Sequence, residues 1–412
     1  MSKRRVTLGD LLFLRRGNIS EKKQKPTLLW ISSNNWAWAV AKGNASTYKD
    51  QFEGGFFGRV ICVHPLARET QTITIGPNHD VVEFGFDSLP GGARWRLLRI
   101  LYFPIYIIIA ALGVRKLILQ HNVDIIRASD PYWSGFIGWI AARTSAKHFC
   151  VSLHSDYDRE ENLDASTSVF GAKSLSRFVM RSADLVMPIS KFLAKYAVTQ
   201  GVEENSISVI PHGVDTNLFN GEASSRIRQR FGVPKNNKIV IYVNRLSRQK
   251  YCYDVLEIAS IVSRNDVSFL ICGDGPERSA MEKIISENSN LRSRVYLLGF
   301  QSREVVAELA AEAQVGLVLL AGFGLIEMSL SRLPVIVYDY EWQSEVVEDG
   351  ETGCVVELGD IQGASLCVER LLENTKLSEE MGERARERAA ADYSLLAASN
   401  RRIRAYKKLL VT

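Results

Sequence analysis

The feature that most restricts how this 412-residue chain can fold is one alternation that occurs twice. From Thr27 onward, short apolar runs rich in β-branched residues alternate with stretches of helical periodicity. The first series has candidate strands at 28–31, 59–63, 124–127, 149–153 and 185–189, with Ser190 placed to cap the next helix. After Pro211-His212-Gly213-Val214-Asp215 the alternation restarts, with candidate strands at 239–243, 267–272, 295–298, 315–320 and 335–337. Runs that are apolar at every position are buried on both faces, so each series predicts a parallel sheet covered by helices. The expected division is a basic extension over 1–25, a first α/β domain over 26–215, a second over 216–394, and a closing basic amphipathic helix over 395–412 packed back on the first.

Charge is distributed unevenly along this plan. The net charge is +5, yet residues 1–25 alone carry +6, so the rest of the chain is almost neutral. Such a segment faces an anionic surface or is a solvated tail. The most apolar stretch, 100–114, is flanked by Arg94, Arg96, Arg99, Arg115 and Lys116. As a helix it would span about 22 Å, short of a hydrocarbon layer of about 30 Å, and Pro104 and Gly113 interrupt it. It predicts an interfacial helix or a plain core helix, not a membrane span. The apolar patch at 11–14 is too short for a leader. The six cysteines form no Cys-x-x-Cys and do not cluster with histidine, which argues against zinc or a disulfide framework and fits reduced, buried thiols in the cytoplasm. The basic excess lacks interleaved aromatics, so nucleic acid is not an expected partner.

Three blocks in the second half carry chemistry. Asn244-Arg245-Leu246-Ser247-Arg248-Gln249-Lys250 follows a candidate strand and opens a helix, so Arg245 and Lys250 stand where an anion is favoured; a solvated basic loop would have the same composition. Cys272-Gly273-Asp274-Gly275-Pro276 places glycines where a strand turns into a helix, either to admit a ligand near the backbone or simply to make a tight turn. Gly322-Phe323-Gly324-Leu325-Ile326-Glu327 puts a carboxylate on what reads as a first helical turn, suited to vicinal sugar hydroxyls or to the helix dipole alone.

In this order, and with Glu345-Val-Val-Glu-Asp-Gly350 after them, the blocks resemble those of the retaining sugar-nucleotide glycosyltransferases with the GT-B fold, family four of the sequence classification. The resemblance is strongest over 209–356 and includes the linker Ile210-Pro-His-Gly-Val-Asp-Thr-Asn-Leu-Phe219. It implies two Rossmann-like doubly wound domains facing a central cleft. It implies that Arg245 and Lys250 hold the donor diphosphate and that Glu327 binds the ribose. Gly273 and Gly275 would lie under the nucleotide and Phe300 near the base, with the backbone of Phe323, Gly324 and Leu325 toward sugar and phosphate. His154, at the end of the 149–153 strand, would face the transferred sugar. Two departures stand out. Ala321 occupies the place of the family's usual first Glu, and Ser32-Ser33-Asn34-Asn35-Trp36, with Gly43-Asn44 further on, replaces its paired glycines. Asp156-Tyr157-Asp158 resembles a metal-binding Asp-x-Asp only superficially, and no metal or other cofactor is expected.

The expected function is therefore retaining, metal-independent transfer of a sugar from a nucleotide-diphosphate donor to a glycan or lipid-linked acceptor. The setting would be cell-surface polysaccharide or glycolipid synthesis, peripheral on the anionic inner face of the cell membrane. The alternatives are a noncatalytic nucleotide-sugar-binding partner of another transferase and a sugar-nucleotide epimerase of similar fold.

Overall fold

The computed structural model describes residues 25–41, 48, 51–85, 96–158, 172–220, 226–320 and 322–411. The basic extension up to residue 24, Gly43-Asn44, Arg94 and Ala321 lie outside these. The chain divides into two compact units, one running to Ile210 and joined by the chain from Ser399 onward, the other Pro211–Ala398. The division falls before the Pro211–Asp215 turn because that turn is tied into the second unit: Val214 N–H donates to Tyr393 O at 2.8 Å, and Leu395 N–H donates to Val214 O at 3.1 Å.

The first unit contains β1 (Thr27–Ile31), α1 (Trp36–Ala41), β2 (Arg59–Ala67), β3 (Gln71–Gly76), β4 (His79–Gly85), α2 (Arg96–Gln120), β5 (Ile125–Ala128), α3 (Trp133–Ser145), β6 (His148–Leu153), α4 (Ala172–Ser182), β7 (Leu185–Pro188) and α5 (Lys191–Thr199). The strand order is β3-β4-β2-β1-β5-β6-β7. All neighbours are parallel except β3 with β4. Ser190 does cap α5, accepting from Leu193 N–H at 3.1 Å. The steps β4 to β5, β5 to β6 and β6 to β7 all run the same way along the sheet. Right-handed crossovers therefore put α2, α3 and α4 in one layer on one face, with α3 packed against both neighbours.

The apolar stretch at 100–114 differs from its expectation. Neither Pro104 nor Gly113 ends it, and α2 is one helix of 25 residues, about 37 Å long. Among the described residues it is the one helix long and apolar enough to cross a membrane by length and composition alone. Its inner face is core: Tyr106, Ile107, Ala110, Ala111, Val114 and Ile118 are buried. The Tyr106 hydroxyl bonds to Pro65 O at 2.5 Å and Phe84 O at 2.9 Å.

The second unit contains α6 (Arg226–Phe231), β8 (Lys238–Val243), α7 (Cys252–Ile261), β9 (Val267–Cys272), α8 (Arg278–Glu287), α9 (Ser289–Arg294), β10 (Val295–Gly299), α10 (Arg303–Glu312), β11 (Val315–Leu317), α11 (Phe323–Leu330), β12 (Val335–Tyr338), α12 (Gln343–Val346), β13 (Gly353–Val356), α13 (Ile361–Glu373) and α14 (Thr375–Tyr393). Its six strands run parallel in the order β10-β9-β8-β11-β12-β13. The last helix, α15 (Leu395–Val411), contributes Tyr406 and Leu409 to the core of the first unit. There Arg127 Nη1 donates to Tyr406 Oη at 2.7 Å, and Arg402 Nε donates to Glu53 Oε1 at 2.5 Å. All six cysteines are free, and five are buried.

Candidate functional site

Chain direction along the second sheet fixes where a site can form. From β8 the connections step toward β9 and β10, and from β11 they step the opposite way toward β12 and β13. The helices that follow β8 and β11 therefore leave on opposite faces, which opens a crevice beyond the carboxyl ends of these two neighbouring strands, where ligands bind in open α/β sheets. Asn244 spans this point. Its Nδ2 donates to Leu320 O at 3.2 Å beyond β11, and its Oδ1 accepts Arg245 N–H at 3.0 Å beyond β8.

The segment after β8 does not run straight into a helix. A one-turn 3-10 helix, Arg248–Lys250, intervenes, and Tyr251 takes a left-handed conformation before α7 begins at Cys252. Arg245 is exposed. Lys250 is half-buried, and desolvation pulls its pKa below the ordinary lysine value, opposed by the nearby Glu341 carboxylate. An ammonium held this way gains most from a further anion.

Gly273 and Gly275 are required by a crossing of two loops. A Cβ on Gly273 would stand 1.8 Å from Asn244 O, and one on Gly275 would stand 2.2 Å from Leu246 O. Both loops are also stitched by backbone bonds, from Leu246 N–H to Asp274 O at 3.0 Å and from Glu277 N–H to Leu246 O at 3.1 Å. These glycines therefore position the Arg245 segment itself. Gly273 N–H also donates to Gly299 O at 2.9 Å, and Phe300, beyond β10, is strongly exposed at the same edge of the sheet.

Across the switch point, Gly324 packs against the end of β8, with a Cβ position 3.0 Å from Val243 O. Phe323 is half-exposed, and its ring lies 4.5 Å from that of His212. Leu325 is buried, and its amide already donates to Gly322 O at 3.2 Å. Of the three amides singled out in the sequence, Leu325 thus closes the first turn of α11.

Glu327 is the fifth residue of α11 and not on its first turn, because the helix begins at Phe323 directly after Gly322. Its side chain is 9% exposed and meets Arg303, the first residue of α10, through Nη2 at 2.7 Å and Nε at 3.1 Å, both on Oε1. Burial raises the Glu327 pKa, and the Arg303 guanidinium works against that rise. Arg303 also lies over the Phe219 ring, 5.5 Å from its centroid. Arg303 lies outside the three sequence blocks, although an arginine immediately after the Ser302 N-cap sits against the helix dipole and so signals another task.

His154 belongs to the first unit. It follows β6 directly and is exposed. Desolvation of the charged form, and then the Arg127 cation, hold its pKa down at about 4, so at neutral pH it is an uncharged donor or acceptor. The Asp158 carboxylate is engaged by Arg177 at 3.2 Å and by Gln200 Nε2 at 2.9 Å. Among the described residues no group of three or more His, Cys, Asp or Glu stands ready for a metal ion.

Two family models match the chain: Glycosyltransferase Family 4 over residues 75–218 and Glycosyl transferases group 1 over residues 223–388. The chain is 33% identical to an alpha-D-kanosaminyltransferase of Streptomyces kanamyceticus over 45% of its own length, and spans only 49% of that relative. It is 25% identical to an N-acetyl-alpha-D-glucosaminyl L-malate synthase of Bacillus anthracis, over 69% of this chain and 74% of the relative. Among solved structures, a sucrose-phosphate synthase from Thermosynechococcus elongatus aligns over 94% of this chain and 99% of its own, with a TM-score of 0.74 at 18% identity. An Anabaena protein solved with UDP and glucose aligns over 93% and 100%, with a TM-score of 0.71 at 17% identity. Both likenesses are of fold, two Rossmann-like domains of the GT-B type.

Proposed function

Because the chain belongs to the group 1, family 4 glycosyltransferases, we propose that it moves a sugar from a nucleotide-diphosphate donor to a glycan or lipid-linked acceptor, with retention of anomeric configuration and without a metal. The observation that carries this reading is the composition of the switch point: two cations on one side, the start of α11 on the other, and a buried carboxylate held by Arg303.

In this reading Arg245 and Lys250 take the donor diphosphate, whose negative charge grows as the anomeric bond breaks. Fixed cations there stabilise the transition state more than the bound substrate. Glu327 accepts the ribose hydroxyls through Oε2, since both Arg303 bonds fall on Oε1. Phe300 lies near the base. The amides of Phe323 and Gly324 at the start of α11 face sugar and phosphate, and the uncharged His154 hydrogen-bonds the transferred sugar. No side chain is assigned as a nucleophile; the departing phosphate oxygen takes the acceptor's proton. The acceptor places the protein in the cytoplasm, on the inner membrane face, in assembly of a cell-surface polysaccharide or glycolipid.

The test is titration of the purified protein with UDP-, GDP- and dTDP-sugars, followed by transfer assays with the donor that binds. Arg245→Ala should lose transfer chiefly in kcat and Glu327→Ala chiefly in donor KM. Full activity in both variants would overturn the assignment.

A further inference from the structure

The layer α2–α3–α4 is built the wrong way round for a face open to water. A helix that covers a sheet ordinarily turns apolar residues inward and charged ones outward, as α14 does with its run of Glu and Arg. On α2 both faces are apolar. Opposite the buried face, Ile105 (54% exposed), Ile108 (56%), Ile109 (43%) and Leu112 (56%) form a stripe at helical spacing, with Lys116 next along it and Leu119 at its end. On α3 the outward positions are Trp133, Phe136, Trp139 and Ile140, which are only half-buried. Their rings run in contact from Phe103 of α2 to Trp133 at 4.7 Å, and from Phe136 and Trp139 to the exposed Phe178 of α4 at 6.2 and 4.7 Å.

Charge on the same three helices has one sign. Together they contain eight Lys/Arg, four on α2, one on α3 and three on α4, and no Asp or Glu. Arg177 pairs with the Asp158 carboxylate at 3.2 Å. We propose that this face is a membrane-docking surface: it seats in the headgroup region of an anionic bilayer, with α2 lying in the plane of the interface. Two copies of the chain pressed together here would set these cations against each other, and the basic segment 1–25 would be repelled in the same way. An anionic bilayer satisfies both the apolar stripe and the cations. The helix does not cross the membrane, because its inner face is the core of the first unit and Tyr106 bonds it to the β2 and β4 segments.

The inference builds on the proposed membrane-linked acceptor and adds where the protein touches the lipid. The full chain is floated with vesicles of phosphatidylcholine alone and with phosphatidylglycerol added, at low and high salt. The wild type should bind the anionic vesicles and keep part of that binding in high salt, with blue-shifted tryptophan emission. Ile108→Asp with Leu112→Asp, which replaces exposed side chains and should leave the unfolding midpoint unchanged, should lose about tenfold or more of the partitioning. If the double variant binds like the wild type, the docking face is wrong while a membrane setting stands, carried by electrostatics elsewhere. If the wild type binds no vesicle, both readings fall. A lipid-free dimer that the double variant dissolves would overturn the proposal in favour of self-association.

Discussion

Replacing Arg303 by methionine separates its role on Glu327 from mere surface chemistry. The pair is lopsided: Arg303 is 45% exposed and Glu327 is 9% exposed. An exposed pair is worth about 0.2–1 kcal/mol and breaking a fully buried one costs about 3–5 kcal/mol. With one partner on each side of the boundary, the expected cost to the ionised carboxylate is about 1–2 kcal/mol, or about a 5- to 30-fold loss of donor affinity. The mechanism fixes a pH signature. Burial already raises the Glu327 pKa, and Arg303 is the group that opposes the rise. Without it the carboxyl stays protonated to higher pH and gives up one acceptor oxygen. Calorimetric titration of the nucleoside diphosphate at pH 6 and pH 8 should therefore show a larger defect for Arg303→Met at the lower pH, with kcat at saturation little changed and partial rescue by Arg303→Lys. Equal affinity of variant and wild type at both pH values, or a defect of the same size at both, would refute the positioning role.

Gly275→Ala drives a methyl to 2.2 Å from Leu246 O, a carbonyl that holds Glu277 N–H. Overpacking and the strained bond should cost about 2–3 kcal/mol, read as a lower thermal midpoint together with weaker donor binding. Lys250 needs its proton to hold the diphosphate, and its pKa lies below the ordinary lysine value. Donor affinity should thus fall as pH rises into the alkaline range, earlier than an unperturbed lysine would allow, whereas Lys250→Arg should stay flat; parallel profiles would remove Lys250 from the phosphate site. In the first unit, Tyr406→Phe keeps the ring against Phe57 but removes the oxygen that accepts from buried Arg127, whose Nε has no hydrogen-bond partner among the described residues. It should destabilise by about 1.5–3 kcal/mol in chemical denaturation.

What could be read from the chain was what depends on neighbours in sequence. The buried parallel strands announce themselves because every residue of a run such as 267–272 is core, and β9 occupies those six positions. The β3–β4 hairpin did not, although its two strands are separated only by Pro77-Asn78. Here the apolar pattern is broken by polar residues that the fold buries and satisfies: Glu83 accepts Trp36 N–H at 2.8 Å, and His79 stacks edge-on against Phe52 at 5.0 Å. No local rule shows that partners 27 and 47 residues away will make such side chains acceptable. The site divides in the same way. Arg245, Lys250 and the glycines stand out by spacing, but the reason for the glycines is a crossing with Asn244 and Leu246 that only the sheet order creates.

The apolar stretch of α2 shows why periodicity has a limit even within one helix. Helical periodicity distinguishes a core face only when one side is apolar and the other polar, and here both sides are apolar. From sequence, 100–114 is a core helix or an interfacial one; in the structure one face of the helix is buried core and the opposite face is exposed and apolar, the face proposed above to meet lipid. Tyr106, Ile107, Ala110 and Val114 form the buried face, and Ile105, Ile108, Ile109 and Leu112 the exposed one. A helix needed only for the core would carry polar residues on that outer stripe at no cost to folding. Keeping it apolar while removing every acid from three successive helices makes sense only if something other than water covers it, and that is the premise the Ile108→Asp, Leu112→Asp experiment puts at risk.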